Sequence, residues 1–385
     1  MTVNADAVII GGGAHGCSIA YHMAKKGWKN IILLEKGYLA SGATGRCAAG
    51  IRHQFGTEIN IRLSMESVKR MERLQDELEY DVDIELMQKG YLMLAHSEAE
   101  LELFRNNVDI QKSIDPDNTT EILDPKQVME ILPHLRLNDL VGASYNEKDG
   151  HVNPFHVTQA YANAARRLGV DIRTYTEVAG IEKEGCKVTG IVLGNGEKIS
   201  TPLVVIAAGA HTKLLGAMID IDIPLTPERH QIMVTEPLEM FLWPMVISFV
   251  YGTYYKQTPH GSLLLGVGDP EHEVKDFNER STWQYVKDAA EKITVQMPIL
   301  KEVNIIRQWA GLYDVTPDQQ GIVGPTEIDG VLIDCGWSGH GFQLAPAVGQ
   351  TMAEMASGEK PFIDMCCMSI ERFAKGELIP EPACV

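Results

Sequence analysis

The spacing of apolar residues at the start of the chain predicts a β-α-β unit. Residues 6–10 and 30–35 are short apolar runs, which are typical of buried strands. Between them, residues 14–26 carry Ile19 and Met23 at helical spacing. A helix that connects two strands in this way places them parallel in one sheet.

The remainder of the chain alternates between helical and strand patterns. Predicted helices cover 59–78, 101–110, 125–131, 154–168, 283–297 and 345–356, and predicted strands cover 171–174, 188–193, 198–200, 203–207, 231–235, 245–250, 263–267, 305–312 and 331–335. The strand-rich stretch from 224 to 312 predicts an antiparallel second lobe, and the tail then returns to strand and helix. We therefore expect an α/β fold in which a discontinuous Rossmann-like domain accompanies an α+β domain.

Charge and length narrow the classes of function. The 385 residues contain 34 Lys and Arg against 52 Asp and Glu, which gives a net charge of 34 − 52 = −18. This field repels phosphate backbones, so we expect no nucleic-acid partner. The apolar stretch from 240 to 255 contains Pro244 and reads as two strands, so no transmembrane segment is expected.

Two further absences bear on location and metals. The first residues lack the basic segment, apolar stretch and cleavage site of a secretory signal, so we expect a cytoplasmic protein. Seven scattered cysteines without a CxxC pair argue against a zinc site and against a disulfide framework. We therefore expect reduced thiols and no metal.

The loop after the first strand carries a dinucleotide-binding motif. Gly11, Gly13 and Gly16 satisfy GxGxxG between a strand and a helix, so backbone amides and the helix dipole can meet a pyrophosphate. Glu35, at the end of the second strand, can accept hydrogen bonds from a ribose diol. Both NAD and FAD use this motif, and a tight packing turn is the alternative.

Two later glycine-rich segments favour the longer ligand. Residues 41–50 form a run of small and hydroxyl residues that suits a ligand lying against backbone, and an NAD half-site does not need it. Residues 336–341 follow a strand and lead into a helix, so their amides can face an aromatic ring that becomes anionic on reduction. A close strand-to-helix crossing explains the last segment equally well by itself.

Together these residues resemble the D-amino acid oxidase superfamily of FAD enzymes over nearly the whole chain. The resemblance rests on GxGxxG, Glu35, the segments 41–52, 204–209, 309–311 and 316–318, and Gly339-His340-Gly341. Within the superfamily, residues 41–52 most resemble the β subunits of heterotetrameric sarcosine oxidase and of dye-linked L-proline dehydrogenase, with glycine oxidase and opine oxidase subunits close by. The resemblance implies an FAD-binding domain (1–85, 146–222 and 320–385) and a substrate-binding domain (86–145 and 223–319).

The resemblance also implies the site residues. Those for the cofactor are Gly11, Gly13, Ala14, His15, Gly16, Glu35, Lys36, Ser41, Thr44, Gly45, Arg46, Cys47, Ala49, Gly50, Ile51, Val178, Ala208, Gly209, Gly311, Gly339, His340, Gly341, Phe342 and Gln343. Arg52 stands where family members bind the substrate carboxylate, a task that suits a guanidinium fork, with an interdomain salt bridge as the alternative. His340 is expected to contact the flavin or orient its turn. Tyr255 aligns with a substrate-pocket tyrosine, although a core position is the alternative.

Four departures from the family pattern modify these expectations. The cysteine that attaches FAD covalently in monomeric sarcosine oxidase is matched by Gly311, so we expect noncovalent FAD. The lysine that promotes reaction with oxygen is matched by Gly266, which favours a dehydrogenase, and a second family lysine is matched by Gln343. No histidine near Asn153 matches the one that carries covalent FMN, and a noncovalent FMN at a subunit boundary stays an alternative.

The sequence therefore predicts an FAD-dependent amine or amino acid dehydrogenase. The substrate would be an amino or imino acid of the sarcosine, proline or opine type, oxidised by hydride transfer to flavin N5 with hydrolysis of the imine. The electrons would pass to an acceptor or to a partner subunit in a hetero-oligomer. The alternatives are an FAD-binding scaffold subunit that is inactive without its partner, an oxygen-using glycine or sarcosine oxidase, and an NAD-dependent dehydrogenase.

Overall fold

The computed structural model describes residues 3–136, 138–268 and 273–382. Its strands are β1 (Val3–Asn4), β2 (Ala7–Ile10), β3 (Ile31–Leu34), β4 (Gly50–Ile51), β5 (Met87–Gln88), β6 (Tyr91–Ala95), β7 (Glu121–Leu123), β8 (Gly142–Asn146), β9 (Gly150–His151), β10 (Asp171–Arg173), β11 (Val178–Glu184), β12 (Lys187–Leu193), β13 (Lys198–Ser200), β14 (Val204–Ile206), β15 (Thr226–Pro237), β16 (Met245–Ser248), β17 (Thr253–Gln257), β18 (Ser262–Val267), β19 (Ile305–Val315), β20 (Ile322–Pro325) and β21 (Val331–Cys335). Its α-helices are α1 (Ala14–Lys25), α2 (Ala43–Arg46), α3 (Glu58–Glu72), α4 (Leu74–Glu77), α5 (Glu98–Ile114), α6 (Pro125–Ile131), α7 (Pro154–Arg167), α8 (Thr212–Ala217), α9 (Trp283–Gln296), α10 (Ala345–Ala356) and α11 (Glu371–Lys375). Single 3₁₀ turns cover Gly209–His211, Pro298–Leu300, Phe342–Leu344 and Cys366–Met368.

A six-stranded sheet carries the first β-α-β unit. Its order is β10-β3-β2-β14-β21-β20, and all neighbours are parallel except β20 and β21. The apolar strands are buried on both faces, and one face packs against α1, α7 and α10. The carboxyl ends of β2, β3, β14 and β21 meet at one edge, which brings the loops after them together. The predicted α/β fold is confirmed.

A mixed eight-stranded sheet forms the second layer of the molecule. Its order is β19-β15-β18-β17-β16-β6-β8-β7, and it is antiparallel except for the pair β16 and β6. One face packs on α9 around Tyr255, Leu263 and Ile293. Strands β6 and β7 lie within 86–145 and share this sheet with β15–β19, while the domain boundaries themselves stay a prediction.

Local sequence signals account for most of the element boundaries. Asp124 and Gln127 form a reciprocal capping box at the start of α6, as expected for an Asp followed by Pro at the first helical position. The long helix predicted over 59–78 is instead divided into α3 and α4, because Arg73 leaves helical geometry at φ −114°. The short strands β6 and β8 are not evident in the sequence pattern.

Two smaller sheets accompany the two larger ones. Their strand orders are β1-β13-β12-β11 and β4-β9-β5. In the part of the chain that the structure describes, no helix combines the length and the apolar character needed to cross a membrane. The described cysteines are free thiols, and Cys384 lies outside the described residues.

Candidate active site

A cavity of about 620 Å³ lies between the carboxyl edge of the six-stranded sheet and the inner face of the eight-stranded sheet. Most of the residues predicted from the sequence line it: Gly11, Gly13, Ala14, His15, Glu35, Lys36, Ser41, Thr44, Arg46, Cys47, Ala49, Gly50, Arg52, Val178, Ala208, Gly209, Gly311, Gly339, His340, Gly341, Phe342 and Gln343. Gly16, Gly45, Ile51 and Tyr255 do not contribute to its lining. The cavity has the size of a ligand site, and it lies at the strand ends where α/β folds bind ligands.

The glycine loop after β2 is packed so closely that side chains have no space there. A Cβ at Gly11 would lie 2.2 Å from the Ala207 carbonyl oxygen, and one at Gly16 would lie 1.9 Å from the Gly11 carbonyl oxygen. Helix α1 begins at Ala14, and its N-cap is Gly13, which has no side chain to occupy the helix end. Amides at such a helix N-terminus attract anions, so the loop fits a pyrophosphate.

Glu35 follows β3 and is fixed by two backbone amides. Its carboxylate accepts hydrogen bonds from Gly12 N at 2.7 Å and from Gly37 N at 2.6 Å. Beside it, Lys36 Nζ lies 2.8 Å from His211 Nε2, and burial together with Lys36 lowers the pKa of His211. A carboxylate held at the end of the second strand suits the hydroxyls of a ribose.

The segment after Glu35 links the two sheets. Thr44 Oγ1 accepts a hydrogen bond from Ala14 N at 3.2 Å, which joins this segment to α1. Arg46 donates from Nε to Ser41 O at 3.0 Å and from Nη1 to Ala310 O at 2.8 Å. The second bond reaches β19, so Arg46 ties the cofactor-side loop to the eight-stranded sheet.

The end of this segment places some residues at the cavity and others behind it. Cys47, Ala49 and Gly50 line the cavity, whereas Ile51 is fully buried in the core. A Cβ at Gly45 would lie 2.3 Å from the Ala40 carbonyl oxygen, so this glycine is needed for packing. Burial raises the pKa of Cys47 to about 11, which keeps it a thiol at neutral pH.

Arg52 is buried within apolar and aromatic neighbours and lines the cavity. Its guanidinium lies 4.6 Å from the Phe55 ring centroid and 5.9 Å from that of Tyr91, and Nη1 lies 3.6 Å from Met93 Sδ. Its backbone N donates to Gln343 Oε1 at 2.8 Å. An arginine keeps its charge in such surroundings, so it offers the cavity a positive, fork-shaped donor.

The chain beside Arg52 is held by Asp149, which the sequence analysis did not identify. Its carboxylate accepts bonds from His53 N at 2.9 Å and Gln54 Nε2 at 2.9 Å, and it lies 2.6 Å from His53 Nδ1. Burial lowers the pKa of His53, but Asp149 outweighs this effect and the pKa is raised overall. The backbone next to Arg52 is therefore anchored to the buried Asp149 side chain.

The turn between β21 and α10 forms another wall of the cavity. His340 lies 5.6 Å from the Phe55 ring centroid, and burial together with Arg52 lowers the pKa of His340 to about 3. The imidazole is therefore neutral at physiological pH. A Cβ at Gly339 would lie 2.6 Å from the Tyr313 ring, so the glycine admits close approach of that ring.

His15 joins this turn to α1. Its Nδ1 lies 2.7 Å from Asp334 Oδ2, and its Nε2 lies 2.9 Å from the Gly341 carbonyl oxygen. Because both nitrogens face acceptors, the geometry calls for the doubly protonated ring. Burial lowers the pKa of His15, but the attraction of Asp334 and the two bonds outweigh it and raise the pKa overall. Asp334 also accepts a bond from Trp337 Nε1 at 2.7 Å.

The structure places Tyr255 in the core and Tyr254 at the cavity. Successive residues of β17 face opposite sides of the sheet, and Tyr255 is fully buried on the side of α9, where its hydroxyl bonds to Gln296. Tyr255 therefore takes the core position that was its alternative, and Tyr254 lines the cavity instead. The ring of Tyr254 covers Gly266 on the neighbouring strand, where a Cβ would lie 1.9 Å from Tyr254 Cζ.

Two other cavity residues, His230 and Tyr313, were missed by the sequence analysis. Their rings stack with centroids 4.5 Å apart and an angle of 7° between planes, and His230 Nε2 lies 3.1 Å from the Tyr254 hydroxyl. Burial lowers the pKa of His230 to about 4. The sequence features that could have indicated this aromatic wall are Gly266 and Gly339, because a glycine in or near a strand often marks the close approach of another group.

The far end of the cavity is formed by Val178, Ala208 and Gly209. Val178 begins β11, two residues after Thr176, whose N donates to the Glu35 carbonyl oxygen at 2.8 Å.

No group of three or more His, Cys, Asp or Glu side chains with metal-binding geometry occurs among the residues described.

The fold and this cavity define an oxidoreductase that uses a dinucleotide cofactor, and the family comparison agrees. Residues 6–355 match the model of the DAO family, described as FAD dependent oxidoreductase. This match covers most of the chain. The protein therefore belongs to this family of FAD-dependent enzymes.

Known relatives share nearly the full length of the chain. The chain is 31% identical to sarcosine oxidase subunit beta from Arthrobacter sp, over 98% of this chain and 93% of the relative. The crystal structure of L-proline dehydrogenase from P. horikoshii matches with a TM-score of 0.90 and 35% identity, over 98% of this chain and 100% of that one. Glycine oxidase from Geobacillus kaustophilus matches with a TM-score of 0.86 and 25% identity, over 96% and 99% of the two chains.

Proposed function

We propose that the protein is an FAD-dependent dehydrogenase of a small amino or imino acid with a secondary amine. It would oxidise the bond between carbon and amine nitrogen to an imine, which water then hydrolyses. The observation that carries this proposal is the buried Arg52 in the same cavity as the glycine loop and Glu35. The relatives named above for sarcosine and proline, which are both secondary amines, support the substrate class.

The residues present fit an FAD molecule. The start of α1 with glycine as its N-cap suits the pyrophosphate, the amide-bound Glu35 suits the ribose, and the turn from Gly339 to Gln343 suits the flavin ring. FAD supplies a two-electron acceptor that takes up a hydride. We propose noncovalent attachment, because Gly311 offers no nucleophile and a Cβ there would lie 3.1 Å from Arg46 Cβ.

The protein side chains would bind and orient the substrate. The Arg52 guanidinium would pair with the carboxylate beside Phe55, Tyr91 and Met93, and charged hydrogen bonds are strong in such apolar surroundings. His340 and His230 are neutral, so they add no positive charge that would oppose an amine. The aromatic rings on the wall exclude water from the amine.

Electrons would leave to an acceptor other than oxygen, in our proposal through a partner subunit. Gly266 cannot carry a side chain without displacing Tyr254, so the oxygen-promoting lysine expected for an oxidase has no space. The relative from Arthrobacter sp is named a subunit, which supports a hetero-oligomer. As an alternative, the electrons would pass to a second flavin, FMN, at a boundary between subunits.

An anaerobic titration tests the proposal. The purified protein is mixed with L-proline, sarcosine, glycine and an opine in turn, and the flavin absorbance is followed before acid precipitation. We expect one secondary amine to bleach the flavin and acid to release free FAD. A flavin that no amine bleaches would instead favour a scaffold subunit that needs its partner, and a colourless protein would favour NAD.

A further inference from the structure

The wall of the cavity opposite the glycine loop is built from three aromatic residues on three strands of the eight-stranded sheet. His230 lies on β15, Tyr254 on β17 and Tyr313 on β19, and all three line the cavity. The His230 ring stacks on Tyr313 at 4.5 Å, and its Nε2 lies 3.1 Å from the Tyr254 hydroxyl. Glycines make room for both tyrosines, since a Cβ at Gly266 in β18 or at Gly339 in the turn after β21 would overlap their rings.

The surroundings of His230 and Tyr254 allow the phenol to donate the hydrogen bond between them. The His230 ring contacts the rings of Tyr254 and Tyr313, and burial keeps it neutral with a pKa of about 4, so one ring nitrogen is an acceptor. Burial also holds the pKa of Tyr254 well above its ordinary value, so the phenol keeps its proton. A phenol that donates to the imidazole retains oxygen lone pairs for a second donor.

We propose that His230 is a positioning residue: it accepts a hydrogen bond from the Tyr254 hydroxyl and so turns the phenol oxygen, as an acceptor, toward the amine N–H of the substrate. This inference rests on the proposed function and adds a contact for the amine to the Arg52 contact for the carboxylate. Together the two contacts fix the carbon that loses the hydride, which is a geometric requirement of the reaction. Tyr313 keeps the imidazole plane in place by stacking.

Two variants of His230 separate its hydrogen bond from its packing. His230→Phe keeps an aromatic ring on Tyr313 and removes the acceptor, whereas His230→Gln restores an acceptor near the position of Nε2. Tyr254→Phe removes the hydroxyl itself. Tyr285→Phe is the matched control, because the Tyr285 hydroxyl bonds to Val267 N on the opposite face of the same sheet.

The measurements use FAD-loaded protein and two ligands that differ only at the amine. L-Proline reports flavin reduction, and cyclopentanecarboxylate, which has the same ring and carboxylate but no N–H, reports binding through the flavin spectrum. We expect His230→Phe and Tyr254→Phe each to lower the reduction rate at limiting proline about tenfold and to leave the affinity for cyclopentanecarboxylate unchanged. Sarcosine replaces proline if it is the amine that bleaches the flavin.

The double variant decides whether His230 acts through Tyr254. We expect His230→Phe/Tyr254→Phe to be no slower than Tyr254→Phe, and we expect His230→Gln to recover most of the rate. Additive losses, or equal losses of affinity for both ligands, would overturn the inference while leaving the proposed function intact. A wild-type flavin that no amine bleaches would overturn the proposed function, and the inference with it.

Discussion

At the scale of single residues, Arg52 is the side chain whose charge the proposed function needs most. We expect Arg52→Met, which keeps the length but removes the charge, to lower kcat/KM about 10- to 100-fold, mainly through KM, because charged hydrogen bonds are lost. Stopped-flow reduction over a range of substrate concentrations measures both constants. Arg62→Met, on the exposed side of α3, is the control, and equal kinetics of the two variants would remove Arg52 from the site.

Residue-level prediction from sequence worked where a motif fixes the backbone and failed where packing selects the side chain. Arg52 follows a segment with a recognisable pattern, and the structure brings it to the cavity. Tyr254 and Tyr255 are adjacent tyrosines, and only the register of β17 decides which of them faces the cavity. His230 belongs to no motif, because its ring neighbours Tyr254 and Tyr313 come from two other strands.

At the scale of elements, His15 connects the start of α1 to the turn before α10, so its protonation bears on cofactor affinity. Its pKa is raised above the ordinary value, so the stabilisation from its charged bonds is complete below about pH 6.5 and is lost as pH rises through the raised pKa. We therefore expect FAD affinity, measured by quenching of flavin fluorescence, to fall severalfold across that rise.

His15→Gln is expected to remove this pH step, because the glutamine amide does not titrate. Other groups that titrate nearby are Asp314, whose pKa burial raises to about 6, and His53, whose pKa is raised because Asp149 outweighs burial. These groups remain in the variant, and the charge of His15 lowers the pKa of Asp314, so the difference between the two pH curves reports His15 together with its effect on Asp314. A step of the same size in His15→Gln would contradict the assignment, and exposed His260→Gln serves as the control.

Elements with strong local signals were predictable, whereas those defined by long-range pairing were not. The capping box at Asp124 and the apolar runs of β2 and β3 identify their elements from short stretches of sequence. Strand β6 pairs with β16, which lies more than 150 residues away along the chain, and no local sequence pattern identifies that partner. The break at Arg73 likewise occurs where the sequence has neither Pro nor Gly.

At the scale of the whole molecule, the cavity lies between loops of the six-stranded sheet and strands of the eight-stranded sheet. Arg46 makes several of the contacts that hold the two together, and this set of contacts is its fastening role. Besides its bonds to Ser41 and Ala310, its guanidinium lies 3.0 Å from Glu279, and its carbonyl oxygen accepts a bond from Trp309 Nε1 at 3.0 Å. A cofactor that lies between the sheets would depend on this fastening. Arg46→Met should therefore weaken FAD binding more than it weakens the fold.

Linkage between FAD binding and unfolding sets the size of the expected change in stability. Ligand at 100 times its Kd stabilises a protein by about 2.7 kcal/mol, and a tenfold weaker Kd at the same concentration removes about 1.4 kcal/mol of that. We expect Arg46→Met to lose about half of the FAD-dependent rise in Tm, while the Tm of the apo protein changes little. Arg105→Met, on the surface of α5, should keep the full rise. A full rise in Arg46→Met would show that FAD binding does not depend on the contact between the sheets.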